Sequence, residues 1–313
     1  MLPLKTAMPN KTIIPDDLSR TIVAVHQDKG VQWLKDFPYI LNECIQRWNI
    51  DRIAPFLNLS FNYVAKATRT NGERVVIKIG VPCDELITEI SALGIYDGRG
   101  SVRILDADKH KGVLLLELVQ PATRLSYLKD DRQATTIAAN VMRKLWRPLP
   151  THHPFPHVSK WATGLKKLRL HFDGTTGPLP SKLVEMAEVL FAELLDSMED
   201  VVLLHGDLHH ENILASNREG WLAIDPKGVV GEPAYEVGAL LRNPIPILLS
   251  LPNPKKFFAR RIDQLCDELE LPRQRVLGWG IAQSVLAAWW CIEDNSYGRD
   301  CFITCADIMA DMI

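Results

Sequence analysis

The order of strand-like and helix-like segments along the chain is the feature that most restricts its fold. Residues 54–119 are rich in β-branched and apolar residues, with one helical stretch after Pro82. Within them, Asn71-Gly72 between two β-branched runs predicts a hairpin. From about Leu125 onward the pattern is mostly helical, apart from short strand-like segments at 201–204 and 221–224. A sheet-rich segment followed by a helical one predicts a two-lobed α+β fold.

The boundaries of the predicted parts follow from this change of pattern. We expect an N-terminal arm over residues 1–30, a small sheet-rich lobe over 31–118 and a large helical lobe over 119–313. Apolar residues from Trp33 to Trp48 recur at spacings of three and four, which predicts an amphipathic helix. A chain of 313 residues is long enough to bury a core in each lobe.

Composition excludes several classes of partner. The net charge of −2, from 36 basic and 38 acidic residues, gives no electrostatic reason to expect a nucleic acid or a membrane surface as partner. No apolar run reaches membrane-spanning length, and the first residues lack the apolar segment of a secretory signal. The six cysteines show no paired Cys-x-x-Cys spacing, so we expect free thiols. These features indicate a cytoplasmic protein.

One short loop carries a set of residues with a recognisable chemistry. After the apolar segment Val201–Leu204 the chain reads His205-Gly206-Asp207, and Asn212 follows five residues later. This is the H-x-D-x-x-x-x-N spacing of a kinase catalytic loop. Phosphoryl transfer needs a base for the acceptor hydroxyl and oxygen ligands for Mg²⁺. We therefore assign Asp207 as the catalytic base, with Asn212 and Asp225 as Mg²⁺ ligands and His205 as a structural brace of the loop.

Other interpretations of the same loop exist. An isolated Asp or Asn in a loop is more often a turn former than a ligand, but the joint spacing of Asp207, Asn212 and Asp225 favours the kinase interpretation. The run His209-His210-Glu211 also raises the hypothesis of a different metal site. That hypothesis is weaker, because adjacent side chains point apart and no further ligands follow at zinc spacing.

A lysine in the sheet-rich part is the candidate phosphate ligand. Lys78 lies in the buried-strand pattern Val75–Ile79, where a charged residue is costly unless it is paired. It fits the strand lysine that contacts the α- and β-phosphates of ATP in kinases. Glu89, in the following helical stretch, is the preferred partner, and Glu85 is the alternative. The competing interpretation is a surface lysine at a strand edge.

The chain departs from the usual kinase pattern at the phosphate loop. Residues 59–63 contain no glycine, so phosphate contacts there must come from Ser60, Asn62 or backbone amides. The segment Glu117–Val119, directly after a predicted strand, is placed to be the connector whose backbone hydrogen-bonds adenine. We therefore count Ser60, Asn62, Glu117 and Val119 among the ATP-binding residues.

Longer stretches of the chain resemble the aminoglycoside phosphotransferases, most closely the branch of streptomycin 6-kinases and hydroxyurea kinases. The matching stretches lie between about Gly30 and Asn295 and include Val76-Ile-Lys, Leu204-His-Gly-Asp-Leu-His-His-Glu-Asn-Ile-Leu and Ile224-Asp-Pro-Lys-Gly. The resemblance implies a protein-kinase-like fold that transfers the γ-phosphoryl group of ATP, with Mg²⁺, to an alcohol. It also implies the same roles for Asp207, Asn212 and Asp225, and for Lys78 with Glu89. Members of this branch commonly have the sequence Pro-Gly-Thr after the connector, whereas this chain has Pro121-Ala122-Thr123 there.

The resemblance narrows the class of acceptor to a small, cationic molecule. Streptomycin carries two guanidinium groups, which call for carboxylates around the acceptor hydroxyl. The candidate substrate ligands are Glu232, Glu236, Glu293, Asp294 and Asp300. Glu236 has an equally good structural interpretation as the cap or brace of a helix. Trp289-Trp290 belongs to a helix core, or else one of its rings lines the sugar site.

The leading functional hypothesis is an ATP-dependent phosphotransferase that modifies an aminoglycoside, with the 6-hydroxyl of streptomycin as the expected acceptor. A kinase of another sugar, cyclitol or small metabolite is one alternative. A catalytically silent kinase-like binding module is another, although the complete set of Lys78, Asp207, Asn212 and Asp225 argues against it. A protein kinase is disfavoured because no Ala-Pro-Glu segment follows Asp225.

Overall fold

A computed structural model describes residues 14–57 and 59–313, so the first thirteen residues of the expected N-terminal arm lie outside the described residues. The chain divides into two compact units. Unit 1 contains residues through Ile87 together with Ile104–Leu118, and unit 2 contains Thr88–Arg103 together with Val119–Ile313. Residues 88–103 thus group with the second unit, whereas the sequence pattern places them in the first lobe.

Unit 1 is built on an antiparallel sheet. Its strands are β1 (Ile50–Pro55), β2 (Tyr63–Arg69), β3 (Arg74–Ile79), β4 (Ile104–Asp108) and β5 (Val113–Glu117). Their order across the sheet is β1-β2-β3-β5-β4. The expected hairpin is confirmed between β2 and β3, where Gly72 adopts a φ of 85° and the Asn71 side chain accepts a hydrogen bond from the Glu73 N–H at 3.0 Å.

A helical segment, α1 (Asp16–Arg47), packs against this sheet and is kinked at Gln27, where φ is 51° and ψ is −129°. It contains the predicted helix from Trp33 but ends at Arg47, one residue before Trp48. Helical structure begins at Asp16, within the expected arm of residues 1–30. Its buried face carries Trp33 and Phe37, and the Phe37 ring meets the Tyr63 ring of β2 edge-on at 4.8 Å. The three- and four-residue spacing of the apolar side chains therefore serves to bury one side of the helix on the sheet.

Unit 2 is mostly helical. Helix α2 (Asp84–Tyr96) starts in unit 1 and ends in unit 2, and the others are α3 (Asp131–Leu145), α4 (Val158–His171), α5 (Ser181–Asp196), α6 (Pro233–Leu241), α7 (Pro254–Leu269), α8 (Arg273–Glu293) and α9 (Arg299–Ala310). Two small antiparallel sheets lie among them. Their strands are β6 (Pro121–Arg124), β7 (Val202–Leu204), β8 (Ile213–Ser216), β9 (Gly220–Ala223) and β10 (Val229–Gly231). One sheet has the order β6-β8-β9, and the other pairs β7 with β10.

Helix α8 forms the centre of unit 2. It is long and apolar enough to cross a membrane by length and composition, which corrects the expectation that no segment reaches that length. However, 83% of its apolar window is buried inside the protein, as in the core helix of a soluble domain. It packs against α4, α5, α6, α7 and α9. The six cysteines are free, as expected.

The C-terminal end of α1 is fastened to the sheet by Asp106 of β4. The carboxylate accepts hydrogen bonds from the buried Trp48 indole N–H at 2.8 Å and from the Arg47 guanidinium at 2.9 and 3.0 Å. Removing the carboxylate would leave a buried N–H without a partner, and such a group is costly.

We expect Asp106→Ala to lower the free energy of unfolding by about 2–3 kcal/mol, because both the Trp48 and the Arg47 hydrogen bonds are lost. Chemical denaturation monitored by tryptophan fluorescence measures this change. Asp51→Ala is the matched control, because Asp51 is exposed and forms an exposed ion pair with Arg52 at 3.5 Å, so its replacement should change stability by less than about 0.5 kcal/mol. Equal effects of the two substitutions would contradict this account.

Candidate active site

The loop that carries Asp207 begins where β7 ends. Gly206 adopts a φ of 85°, a conformation that residues with a side chain rarely adopt. A Cβ atom at this position would lie 2.7 Å from the Trp161 ring and 2.9 Å from Val229. Glycine is therefore required both for the turn and for the close packing of the loop, which explains its place directly before Asp207.

A buried carboxylate holds the backbone of this loop. Glu236 of α6 is 1% exposed, and its two oxygens accept hydrogen bonds from the His205 N–H at 2.6 Å and the Gly206 N–H at 2.9 Å. Burial raises the pKa of Glu236 to about 7, against the lowering effect of the two hydrogen bonds. Glu236 thus has a structural role, as the alternative interpretation expected, but it braces the loop rather than a helix.

His205 joins the loop to the segment that follows β9. Burial lowers the pKa of His205 to about 4, so the imidazole is neutral near pH 7. Its Nε2 donates to the Ile224 carbonyl at 2.8 Å, and its Nδ1 accepts from the Asp207 N–H at 3.3 Å. The histidine therefore connects the Asp207 turn with the residue preceding Asp225, and the expected structural role of His205 agrees with these contacts.

Asp207 is partly exposed and lies between two basic side chains. Its carboxylate is 3.6 Å from His209 Nε2 and 3.6 Å from Arg242 Nη2. Desolvation would raise the pKa of Asp207, but His209 and Arg242 outweigh it and hold the pKa well below its usual range. The carboxylate is therefore ionised near neutral pH, as a proton acceptor must be.

Arg242 is a site residue that sequence reasoning missed. It is 5% exposed at the end of α6, where Nη1 donates to Gln283 Oε1 of α8 at 3.0 Å and the guanidinium lies 5.8 Å from the Phe302 ring. The motif surrounding Asp207 gives no indication of it, because it lies 35 residues further along the chain. The sequence signal for it was an arginine directly after the mostly apolar segment Pro233–Leu241, since a buried arginine needs a partner.

Asn212 and Asp225, the expected Mg²⁺ ligands, lie on two segments that are joined by a backbone hydrogen bond. The Asn212 side-chain N–H donates to the Asp207 carbonyl at 2.9 Å. The Asn212 carbonyl accepts from the Ile224 N–H at 2.9 Å, which ties it to the strand preceding the exposed Asp225. One amide oxygen and one carboxylate are ligand types that fit Mg²⁺, which takes few protein ligands.

The alternative metal site at His209-His210-Glu211 does not form. His210 is 3% exposed, so its ring points into the protein, away from the partly exposed His209. Burial lowers the pKa of His210 to about 3, and neither ring nitrogen has a hydrogen-bond partner among the described residues. Within the same part of the chain, no group of three His, Cys, Asp or Glu side chains could hold a metal ion.

The candidate ATP ligands are distributed over both units. In unit 1, Lys78 is 5% exposed on β3, an inner strand of the sheet, so it is not a surface lysine at a strand edge. Asn62 packs its side-chain oxygen against Gly80, and Ser60 is exposed in the connection before β2. In unit 2, Glu89 is also 5% exposed, whereas the alternative Glu85 in unit 1 is exposed.

Glu117 and Val119 lie at the boundary between the two units. Glu117 is the last residue of β5 in unit 1, and the buried Val119 is the first residue of the second part of unit 2. These positions are those of a connector between the units. Their contact with adenine stays a prediction.

The candidate acceptor carboxylates fall into two groups. Glu232 is 6% exposed, pairs with Arg275 at 2.8 Å and accepts a hydrogen bond from the Trp279 indole, so it is a structural residue like Glu236. Glu293 and Asp294, at the C-terminal end of α8, are exposed. Asp300 is exposed and pairs with its neighbour Arg299 at 2.7 Å. Only the exposed carboxylates therefore stay candidates for substrate contact.

The raised pKa of Glu236 predicts a pH dependence of stability. The pKa in the fold is about 7, against about 4.3 in an unfolded chain. Between these two values the folded state retains a proton that the unfolded state loses. The protonated side chain therefore contributes to the free energy of unfolding at low pH, and this contribution is lost as the pH rises from about 4.3 through about 7. We expect the stability difference between wild type and Glu236→Gln to fall by up to about 3 kcal/mol across that window.

Denaturation at pH 4.5, 6 and 7.5 measures this difference. Glu185→Gln, an exposed position on α5, is the control and should show no such trend. A wild-type advantage over Glu236→Gln that is independent of pH would contradict the raised pKa.

Comparison with known proteins agrees with this geometry. The family model described as "Aminoglycoside/hydroxyurea antibiotic resistance kinase" matches residues 47–295. The streptomycin 6-kinase of Streptomyces griseus is 29% identical over 90% of this chain and 92% of its own length. The hydroxyurea phosphotransferase of Kitasatospora aureofaciens is 29% identical over 90% of this chain and 81% of its own length.

A solved structure shows the same fold. A thermostable mutant of aminoglycoside phosphotransferase APH(4)-Ia, in a ternary complex with ADP and hygromycin B, superimposes with a TM-score of 0.60 at 12% identity, over 87% of this chain and 96% of that one. The resemblance seen in the sequence and the expected protein-kinase-like fold are thus confirmed. The chain belongs to the aminoglycoside/hydroxyurea antibiotic resistance kinase family, and it is a phosphotransferase.

Proposed function

We propose that this protein transfers the γ-phosphoryl group of ATP to a hydroxyl group of a cationic aminoglycoside, with the 6-hydroxyl of streptomycin as the acceptor. The observation that carries the proposal is the ionised Asp207 carboxylate on a loop whose backbone is held by Glu236. The similarity to a streptomycin 6-kinase over 90% of the chain supports the choice of acceptor. The cytoplasm, where ATP is available, is the proposed location.

Asp207 would act as the catalytic base. It would accept the proton of the acceptor hydroxyl while that oxygen attacks the γ-phosphorus of ATP and ADP leaves. Arg242 and His209 keep the carboxylate ionised and fix its orientation at 3.6 Å each. Because its pKa is depressed, Asp207 is a weak base, so its main contribution would be to position the hydroxyl in line with the phosphorus.

Asn212 and Asp225 would hold Mg²⁺. The bound ion would neutralise charge on the phosphate oxygens. The hydrogen bond from the Asn212 amide nitrogen to the Asp207 carbonyl orients its oxygen away from that carbonyl, so that it is available as a ligand. The backbone bond from Ile224 to Asn212 keeps the two ligand-bearing segments in register.

The ATP phosphates would be bound by Lys78, with Glu89 as its proposed partner. A buried ammonium group needs a counter-charge or a ligand, and phosphate oxygens supply both charge and hydrogen-bond acceptors. Ser60 and Asn62 would complete the phosphate contacts in place of a glycine-rich loop. The backbone of Glu117 and Val119 would bind adenine.

A turnover assay tests the proposal. Purified protein with Mg-ATP is offered streptomycin, other aminoglycosides, hydroxyurea and simple polyols, and ADP release is followed by a coupled enzyme reaction. We expect rapid ADP release with streptomycin. Release with another sugar or cyclitol alone would reassign the acceptor, and retained ATP binding without turnover of any compound would identify a silent binding module.

Replacement of the base should separate chemistry from nucleotide binding. We expect Asp207→Ala to reduce kcat by a factor of at least about 10², while the dissociation constant for ATP changes little, because the base contacts the acceptor. Asp173→Asn is the control, since Asp173 is an exposed loop residue with a φ of 50° that Asn tolerates. An Asp207→Ala variant that keeps more than a few per cent of the rate would refute the assignment.

Replacement of Lys78 should instead weaken the binding of ATP. We expect Lys78→Ala to raise KM for ATP about 10–100-fold and to lower kcat, because a charge-assisted hydrogen bond to phosphate is lost. Lys66→Ala removes an exposed lysine from the neighbouring strand β2 and serves as the control. Unchanged ATP dependence in Lys78→Ala would exclude the phosphate role.

A further inference from the structure

Two helices of unit 2 approach each other unusually closely beside the Asp207 loop. Gly164 of α4 faces α8, and a Cβ atom there would lie 2.6 Å from Leu286 and 3.3 Å from the Trp289 ring. The missing side chain lets α4 settle directly on α8. Trp161, one turn before Gly164, is therefore brought up to the side chains of α8.

Trp161 and Trp290 form a two-ring aromatic surface at this place. The ring centroids are 5.8 Å apart and the planes are nearly perpendicular at 88°. Trp161 also lies 6.1 Å from the Tyr235 ring of α6. Trp161 and Trp290 both stay partly exposed, whereas Trp289 is only 3% exposed. Of the two adjacent tryptophans of α8, Trp289 therefore belongs to the core and Trp290 to the surface.

This aromatic surface touches the Asp207 loop. The Trp161 ring is the closest group to the space beside Gly206, where a Cβ atom would come within 2.7 Å of it. Gly206 is the residue directly before Asp207. The Trp161 ring therefore lies against the residue that precedes the proposed base.

A carboxylate stands one helical turn beyond Trp290. Glu293 is exposed and forms an ion pair with Lys167 of α4 at 3.4 Å, with 37% and 62% of the two side chains exposed. Ion pairs this exposed contribute little to stability. The Glu293 carboxylate can therefore exchange Lys167 for a cationic group of a ligand at small cost.

We propose that Trp161, Trp290 and Glu293 form the wall that binds the acceptor, and that they select a ring with an apolar C–H face and a guanidinium or ammonium group. The inference rests on the proposed function and adds the means of acceptor recognition. The indoles remove the apolar face of the ring from water and attract its cation, and Glu293 pairs with that cation. Contact of Trp161 with Gly206 then sets the acceptor hydroxyl beside Asp207.

Calorimetric titration of the full-length protein with streptomycin tests the wall without requiring turnover. We expect Trp290→Ala to weaken binding about tenfold and Glu293→Gln to weaken it severalfold, with unchanged binding of ATP. Trp221→Phe is the control, because Trp221 is another partly exposed tryptophan, on β9. Trp290 and Glu293 lie at least partly at the surface, so both variants should fold, which thermal denaturation verifies.

The outcomes separate the wall from the proposed function. The inference is overturned if wild type does not bind streptomycin, or if Trp290→Ala and Glu293→Gln bind it as tightly as wild type and Trp221→Phe do. In the turnover assay, an unchanged acceptor KM in both variants would reject the wall alone. Weakened binding in the variants, together with no phosphorylation of any acceptor by wild type, would support the wall and reject the proposed function.

Discussion

The loop that carries the proposed base Asp207 depends on one buried carboxylate. Both oxygens of Glu236 accept hydrogen bonds from the N–H groups of His205 and Gly206. The turn before Asp207 is therefore held in place by α6. Unpaired, those two N–H groups and the carboxylate would each be costly in a buried environment. The positive φ of Gly206 and the hydrogen bonds of His205 depend on this backbone position.

A positively charged residue at the end of the same helix acts on Asp207, the proposed base. Arg242, near the end of α6, reaches Asp207 and is itself held by Gln283 of α8, which donates to the Tyr235 carbonyl of α6. Helix α6 thus supplies both the brace behind the loop and the cation beside its carboxylate. The burial of α8 at the centre of unit 2 keeps this arrangement rigid, because packed interiors resist small displacements.

The sequence predicted the features that local spacing determines. The Asn71-Gly72 hairpin and the order of a sheet followed by helices both follow from the local pattern of residue types, and the structure contains each of them. Arg242 was missed because its contact with Asp207 spans 35 residues and has no local motif. Glu232 was misjudged for a related reason, since its partner Arg275 lies 43 residues away. A carboxylate in a sequence does not reveal whether its counter-ion is a substrate or a distant arginine.

The identity of the phosphorylated product tests the central claim most directly. Streptomycin incubated with the protein and Mg-ATP is purified, and phosphorus–proton NMR correlation identifies the carbon that bears the phosphate. If Asp207 lies beside a single hydroxyl of the bound acceptor, we expect one product, phosphorylated at the 6-hydroxyl. Phosphate attached at several positions, or ADP and inorganic phosphate formed without any phosphorylated streptomycin, would contradict the account.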